Sequence, residues 1–436
     1  MRQIPLNRRS FVISSAAATA GLMAARLPAK AALADKVRVG IIGIGGRGLN
    51  NLVEIEPSGG IVAALCDVDD KRAAEARKKW PDVPFERDFR KLLDRKDLDA
   101  ILVATPDHTH FPAAVMGMDA GKHVYCEKPL THTVEEARIL RNMAAAKKLQ
   151  TQMGTQIHSG DNYRRVVEII QGGVIGPVKE VHVWCAKSWG GNGQQPVGEK
   201  VPEGLDYDLW LGPIQPVPYS KEYVPFNWRK YWAFGGGTLA DMGCHFIDLA
   251  FWALNLDLPT RVSAEGTPVS PYTAATELTA HWDFAARGDR PAVKVHWYDG
   301  GRKPAVEGML KWDNGVLFVG EKGMLQADYG RYSFLPKEKF EGVKLPEPTI
   351  AKSIGHWKEW LMAIQGEGKP LCSFDYSARL TEMVLLGTVA YRAGKAFDWD
   401  AKNFQASDPA AQAYLTKTYR EGWSEKLSGY KQYLKG

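Results

Sequence analysis

Val37-Arg38-Val39-Gly40-Ile41-Ile42-Gly43-Ile44-Gly45-Gly46-Arg47-Gly48 is the stretch on which the reading of this chain turns. Val37 to Ile42 is a short apolar, β-branched run, and G-x-G-x-x-G comes directly after it and opens into a helical segment. Strand, glycine turn and helix in that order make a dinucleotide-binding turn. The first glycine permits the tight turn and the second lets backbone amides approach a pyrophosphate. The third lets helix and strand pack closely, with the helix N-terminus aimed at the phosphates.

The glycines alone would also suit a plain turn, so the weight rests on the strands and helices downstream. Ile61–Cys66 reads as a second strand ending in Asp67, 24 residues after Gly43. An acid there accepts both ribose hydroxyls and repels a 2′-phosphate, which favours NAD over NADP. Lys71 and Arg72 lie close by and keep NADP in play. The alternation continues with strand Ala100–Ala104, ending in Thr105-Pro106-Asp107-His108-Thr109-His110, and strand His123–Cys126, ending in Glu127-Lys128-Pro129. Val134–Lys148 then reads as a helix. Repeated β–α units of this length predict a doubly wound parallel sheet of the Rossmann type over residues 35–155. Ligands of such sheets bind at the strands' carboxyl ends, where Gly45, Asp67, Thr105 and Lys128 fall. His108 and His110 receive no chemical role, because helix capping or packing beside the cofactor explains them; His110 is placed with the cofactor pocket.

Gly235–Asp248, GGGTLADMGCHFID, carries the second signal. On a helix, Asp241 and His245 share one face, about 6 Å apart along the axis, and Asp248 nearly continues the line. An imidazole beside a carboxylate is a general base with an orienting partner.

Five of the basic residues behind the net charge of +6 (Arg2, Arg8, Arg9, Arg26, Lys30) fall within the first 34 residues, which hold no acid, leaving about +1 for the rest. The charge therefore makes no case for nucleic acid. Asn7-Arg8-Arg9-Ser10-Phe11, the small apolar run Val12–Ala25 and Ala32-Leu33-Ala34 read as a twin-arginine signal over residues 1–34. Cleavage after Ala34 would release a periplasmic protein. No later run is long enough to span a bilayer, so no membrane anchor is expected. Cys66, Cys126, Cys185, Cys244 and Cys372 are odd in number and form no C-x-x-C pair. They read as buried free thiols, and no metal is expected among the site residues.

Taken together, Gly43–Gly48, Asp67, Thr105-Pro106, Glu127-Lys128-Pro129 and Gly237–His245 resemble the glucose–fructose oxidoreductase, inositol dehydrogenase and rhizopine-catabolism (Gfo/Idh/MocA) family. The resemblance implies the N-terminal dinucleotide domain followed, over residues 156–436, by an α+β domain with a large open, mostly antiparallel sheet. It also implies that Lys128, Asp241 and His245 line the place where a sugar or polyol meets the nicotinamide, and that the Lys128–Pro129 bond is cis. The cofactor-binding set becomes Gly43, Gly45, Gly46, Arg47, Gly48, Asp67, Thr105, Pro106, His110 and Glu127.

Beyond Gln156, helical Tyr163–Gln171 and strand-like Glu180–Cys185 precede a long Gly/Pro-rich loop over residues 187–236. Long loops in compact chains are usually functional. Trp189, Trp228 and Tyr231, interleaved with Arg229, suit a pyranose, whose apolar faces stack while its hydroxyls need polar partners; a satellite aromatic core fits as well. His158, after the last strand of the first domain, is placed with this substrate set, and a structural role fits it as well. Strand-like Arg261–Glu265, Glu277–Phe284, Val293–Tyr298 and Val316–Val319 fit the open sheet, with one face free for substrate or for a second subunit. Phe334–Ile350 reads as an excursion, and helix Tyr376–Ala393 lies where the family's chain returns to the first domain.

The expected activity is hydride transfer from a sugar, glycoside or polyol hydroxyl carbon to a tightly held NAD. His245 would take the proton, Asp241 would orient it, and Lys128 would bind the substrate oxygen. The alternatives are a redox-neutral, NAD-dependent glycoside hydrolase of the same ancestry and a non-catalytic NAD-binding module. A glycosidase branch of the family carries Tyr-x-x-His after its glycines, whereas this chain has Asp-x-x-x-His.

Overall fold

Two sheets and the helices between them account for the architecture. The computed structural model describes residues 36–435; the signal reading of residues 1–34 lies outside them. The first sheet contains β1 (Arg38–Ile42), β2 (Ile61–Cys66), β3 (Phe85–Glu86), β4 (Ala100–Val103), β5 (His123–Cys126) and β6 (Thr151–Met153). Their order is β3-β2-β1-β4-β5-β6, and every pairing is parallel. β1 and β4 are apolar throughout their buried stretches because helices cover both faces.

The second sheet contains β7 (Val178–Trp184), β8 (Arg261–Gly266), β9 (Leu278–Phe284), β10 (Val293–Tyr298), β11 (Gly315–Gly320), β12 (Gly323–Ala327), β13 (Tyr332–Leu335), β14 (Phe397–Asp400) and β15 (Gln405–Ala406). Its order is β13-β12-β11-β7-β10-β9-β8-β14-β15, antiparallel except where β7 meets β10. One face packs on helices Gly237–Ala253 and Phe374–Ala393. Trp282 and Trp297 are buried there, and the Trp282 indole donates to the Met383 carbonyl at 2.8 Å. Only Phe334 and Leu335 of the expected Phe334–Ile350 excursion belong to the sheet, ending β13 where Tyr332–Leu335 pairs with β12; residues 336–350 are irregular apart from the short turn Lys337–Phe340.

The return to the first sheet begins earlier than helix Tyr376–Ala393. Helix His356–Ile364 inserts Trp360 and Leu361 into the core built from Val37, Val39, Ile41 and Leu102. Helix Phe374–Ala393 then packs along helix Val134–Lys147, and the Arg138 guanidinium pairs with Glu382 across that contact. All five cysteines are buried and free.

Candidate active site

Gly43 closes the turn after β1 at φ +83°, which only glycine adopts without strain, and its amide donates to the Cys66 carbonyl at 2.8 Å. Gly48 sits inside the first turn of helix Arg47–Ile55, where a Cβ would lie 1.8 Å from the Gly43 oxygen. The helix N-terminus carries no side-chain cap among the described residues, and of its first-turn amides that of Gly48 turns back to the Gly45 carbonyl at 3.1 Å. The Thr105 hydroxyl, buried at the mouth of β4, has no hydrogen-bond partner among the described residues and lines the same space. An uncapped helix start, a close-packed glycine turn and an unpartnered hydroxyl together fit a dinucleotide.

A single cleft of about 710 Å³ runs from this turn to helix Gly237–Ala253. Gly43, Gly45, Gly46, Arg47, Asp67, Thr105, Pro106, His110 and Glu127 line one part of it, and Lys128, Asp241, His245, Trp189, Trp228 and Arg229 line another. Gly48 serves packing behind the turn. Asp67 ends β2, and its carboxylate accepts from the amides of Ile44 at 2.9 Å and Asp69 at 3.1 Å. Burial raises its pKa against those two bonds. Arg72 lies against Gly45 and Gly46 on the same rim. Glu127 accepts from Arg47 at 3.1 Å, Asn51 at 2.8 Å and Gln156 at 2.9 Å, tying the helix start to the end of β5. The His110 ring bridges the Pro129 and Thr105 carbonyls, each at 2.8 Å, and so joins two strand ends.

The Lys128–Pro129 peptide is cis. The Lys128 ammonium donates to Asp241 Oδ1 at 2.7 Å and to the Asp241 carbonyl at 3.0 Å, while Arg229 Nε donates to the same Oδ1 at 3.0 Å. Burial favours the neutral Asp241 carboxyl, but Lys128 and then Arg229 outweigh it and hold the group well below the usual carboxylate range. This corrects the expected partnership of Asp241 with His245. The helix does set both on one face, yet the carboxylate is taken by two cations, and the His245 ring has no hydrogen bond among the described residues. Burial first, then the Lys128 charge, pushes the His245 pKa down to about 3, so the imidazole is neutral.

His158 is not in the cleft. It is buried, with Nδ1 3.0 Å from the Asp248 carboxylate and its ring stacked on Trp252 at 4.0 Å. Asp248 also accepts from the Tyr376 hydroxyl at 2.7 Å. An apolar helix interface has recruited a self-satisfied polar triad, which leaves no donor for substrate. Tyr231 is likewise outside the cleft, packed edge-on against Tyr223 at 4.7 Å in an aromatic cluster with Phe234. The long loop thus does two things. Tyr231 builds its core, and Trp228, 6% exposed, joins that core while showing one surface to the cleft under the Arg229 guanidinium.

Three cleft residues had no role in the sequence reading. Asp107, at the start of helix Asp107–Asp119, is buried, and desolvation with help from Asp241 raises its pKa to about 8 against Arg229 and Lys128. Tyr329 lies just beyond β12, edge-on to His245 with ring centres 6.5 Å apart. Trp210 comes from the short helix Tyr207–Leu211 and holds His108, whose Nε2 lies 2.8 Å from the Trp210 carbonyl. Only Asp107 stood in a motif, Thr-Pro-Asp-His, that could have drawn attention to it.

The fold and the cleft place the chain in the Rossmann-type dinucleotide-binding class. Residues 37–155 match the family described as "Oxidoreductase family, NAD-binding Rossmann fold", and residues 164–425 match "Oxidoreductase family, C-terminal alpha/beta domain". The chain belongs to the Gfo/Idh/MocA oxidoreductase family. Among solved structures it shares its fold with the WlbA dehydrogenase of Bordetella pertussis in complex with NADH and UDP-GlcNAcA (TM-score 0.61, 18% identity, 84% of this chain and 99% of that one). A probable dehydrogenase of Thermotoga maritima is similar too (TM-score 0.56, 18% identity, 83% and 98%). A glycosyl hydrolase family 109 protein of Shewanella sp. strain W3-18-1 is 29% identical over 201 residues, which is 39% of this chain. The match spans 44% of that relative's length.

Proposed function

We propose that the protein oxidises a hydroxyl-bearing carbon of a sugar, glycoside or polyol with NAD. The observation that carries the proposal is the continuity of the cleft, which joins the glycine turn to the Lys128–Asp241–Arg229 cluster and His245. The Trp189 indole N–H, buried beside the cleft without a partner among the described residues, is free to donate to a polar ligand. Hydride acceptance is the chemistry that a bound nicotinamide supplies, and Gly43–Arg47, Asp67 and Thr105 would hold that cofactor.

This chain's residues do the rest. Trp228 and Trp189 offer apolar faces to a ring. The Lys128 ammonium, aimed by Asp241, donates to the substrate oxygen and stabilises negative charge as it develops. A ring nitrogen of His245 receives the hydroxyl proton. Its low pKa makes it a weak base in isolation, so the transfer depends on the oxygen being polarised by Lys128 at the same moment.

The family 109 relatives favour a second reading, redox-neutral cleavage of a glycoside. Such a reaction needs an acid for the leaving oxygen, and Asp107, protonated at neutral pH, is available for it. Mass spectrometry of cofactor released from purified protein, combined with a panel of sugars and glycosides, separates the two. Oxidised sugar with reduced cofactor supports the first reading; a released aldose with no net reduction supports the second; no turnover on any member refutes both. We propose further that the protein is exported through its twin-arginine segment with NAD tightly bound, and that copies associate through the second sheet. Fractionation and light scattering test these points.

A further inference from the structure

The face of the second sheet turned away from Trp282 and Trp297 carries a second polar cluster, and none of its residues lines the cleft. β10 pairs with β7 so that His296 stands beside His182, and with β9 so that His296 also stands beside His281. Three histidines therefore form one row across three adjacent strands. Glu180, two residues before His182, points the same way because side chains repeat every second residue.

We propose that Glu180, His182 and His296 form a binding site for one divalent transition-metal ion of the zinc type. Their donor atoms all lie within 4.8 Å of one another. Glu180 Oε1 is 3.0 Å from His296 Nε2 and 3.3 Å from His182 Nε2. Ligand bonds of about 2.0–2.2 Å in a tetrahedron place neighbouring donors about 3.3 Å apart, so these spacings are already those of a coordination edge. His296 Nε2 is buried and faces only the Glu180 carboxylate at 3.0 Å among the described residues.

The opposite ring nitrogens are held. His182 Nδ1 lies 3.1 Å from the Tyr298 hydroxyl, and His296 Nδ1 lies 2.5 Å from His281 Nδ1. Ligand histidines are ordinarily fixed through the second nitrogen in this way, which leaves Nε2 free for the metal. Tyr298 and His281 are thus positioning residues. The Glu180 side chain is 44% exposed in the single chain, which leaves a fourth position for water or a ligand from an adjoining copy. Two imidazoles and one carboxylate suit zinc and its neighbours better than magnesium or calcium.

The test is calorimetric titration of the EDTA-treated mature protein with zinc chloride, repeated with cobalt(II) for its visible absorption. One ion per chain is expected. Glu180→Gln, a change at a half-exposed side chain, should weaken binding at least tenfold, and the double variant His182→Ala/His296→Ala should abolish it. His281→Ala should weaken binding about tenfold and alter the cobalt spectrum. Near-UV circular dichroism and retained nicotinamide cofactor check that each variant is folded. The proposal is overturned if the wild type shows no stoichiometric site, or if Glu180→Gln and the double variant bind as the wild type does.

Discussion

Asp241→Asn gives the sharpest test of how the active site is assembled. Asp241 Oδ1 accepts from Lys128 at 2.7 Å and from Arg229 at 3.0 Å, and the carboxylate is nearly buried. Asparagine preserves an acceptor at Oδ1 and removes the charge. Both donors stay cationic, so the loss is chiefly that of the ion-pair partner: about 3–5 kcal/mol for a fully buried pair, cut to about 2–3 kcal/mol by the partial exposure of Lys128 and Arg229. At about 2 °C per kcal/mol for a chain of this size, Tm should fall by about 5 °C at pH 7. The sign with pH comes from the depressed Asp241 carboxyl. Its contribution is complete above the ordinary carboxylate range and is lost as pH falls through and below that range. The gap in Tm between wild type and variant should therefore narrow on going from pH 7 to pH 3.5. Turnover should drop about a hundredfold at pH 7, since Lys128 loses the anchor that aims it. Thermal unfolding by circular dichroism at both pH values, with steady-state rates, makes the measurement. An unchanged Tm at pH 7 with full turnover would refute the idea that this carboxylate organises the two cations.

Three further outcomes are expected from the same geometry. His245→Asn should lower turnover by about a hundredfold or more with Tm shifted by less than about 2 °C, and the wild-type pH–rate profile should show no histidine limb between about pH 5 and 8, because the His245 pKa is held at about 3. Asp67→Ala should narrow the preference for NAD over NADP in direct binding measurements, since Arg72 on the same rim would then face a 2′-phosphate unopposed; a wild type that prefers NADP would count against the assignment. Trp360→Ala should cost about 3–5 kcal/mol in chemical denaturation without changing KM, because this fully buried ring joins helix His356–Ile364 to the first sheet.

Four of the first sheet's six strands were legible almost to the residue because their information is local, whereas β3 and β6, two and three residues long, are too short to show a pattern. Ile61–Cys66 and His123–Cys126 are β-branched or apolar runs bounded by turn residues, and the glycine turn has one conformation that suits it. The active site was legible in its membership and not in its wiring. A four-residue spacing on a helix places Asp241 and His245 on one side, but it carries no information about competitors arriving from elsewhere. Lys128, 113 positions away, and Arg229, from the preceding loop, supply charges that a neutral imidazole cannot match. His158 was misplaced for the same physical cause. Nothing near it in the chain announces Asp248 or Tyr376, yet burial of a polar ring requires partners, and the fold found them 90 and more residues on. Register is the least local quantity of all. His182, His281 and His296 are ordinary letters in three separate strands, and a slip of one residue in either pairing would send the row to the opposite face. The one parallel pair in an otherwise antiparallel sheet, β7 with β10, is what sets His182 beside His296, with Glu180 one same-face position away and level with Lys294. Chemistry that depends on a sheet's register therefore becomes visible only once the pairing is known, whereas chemistry carried on a glycine turn is visible in the letters themselves.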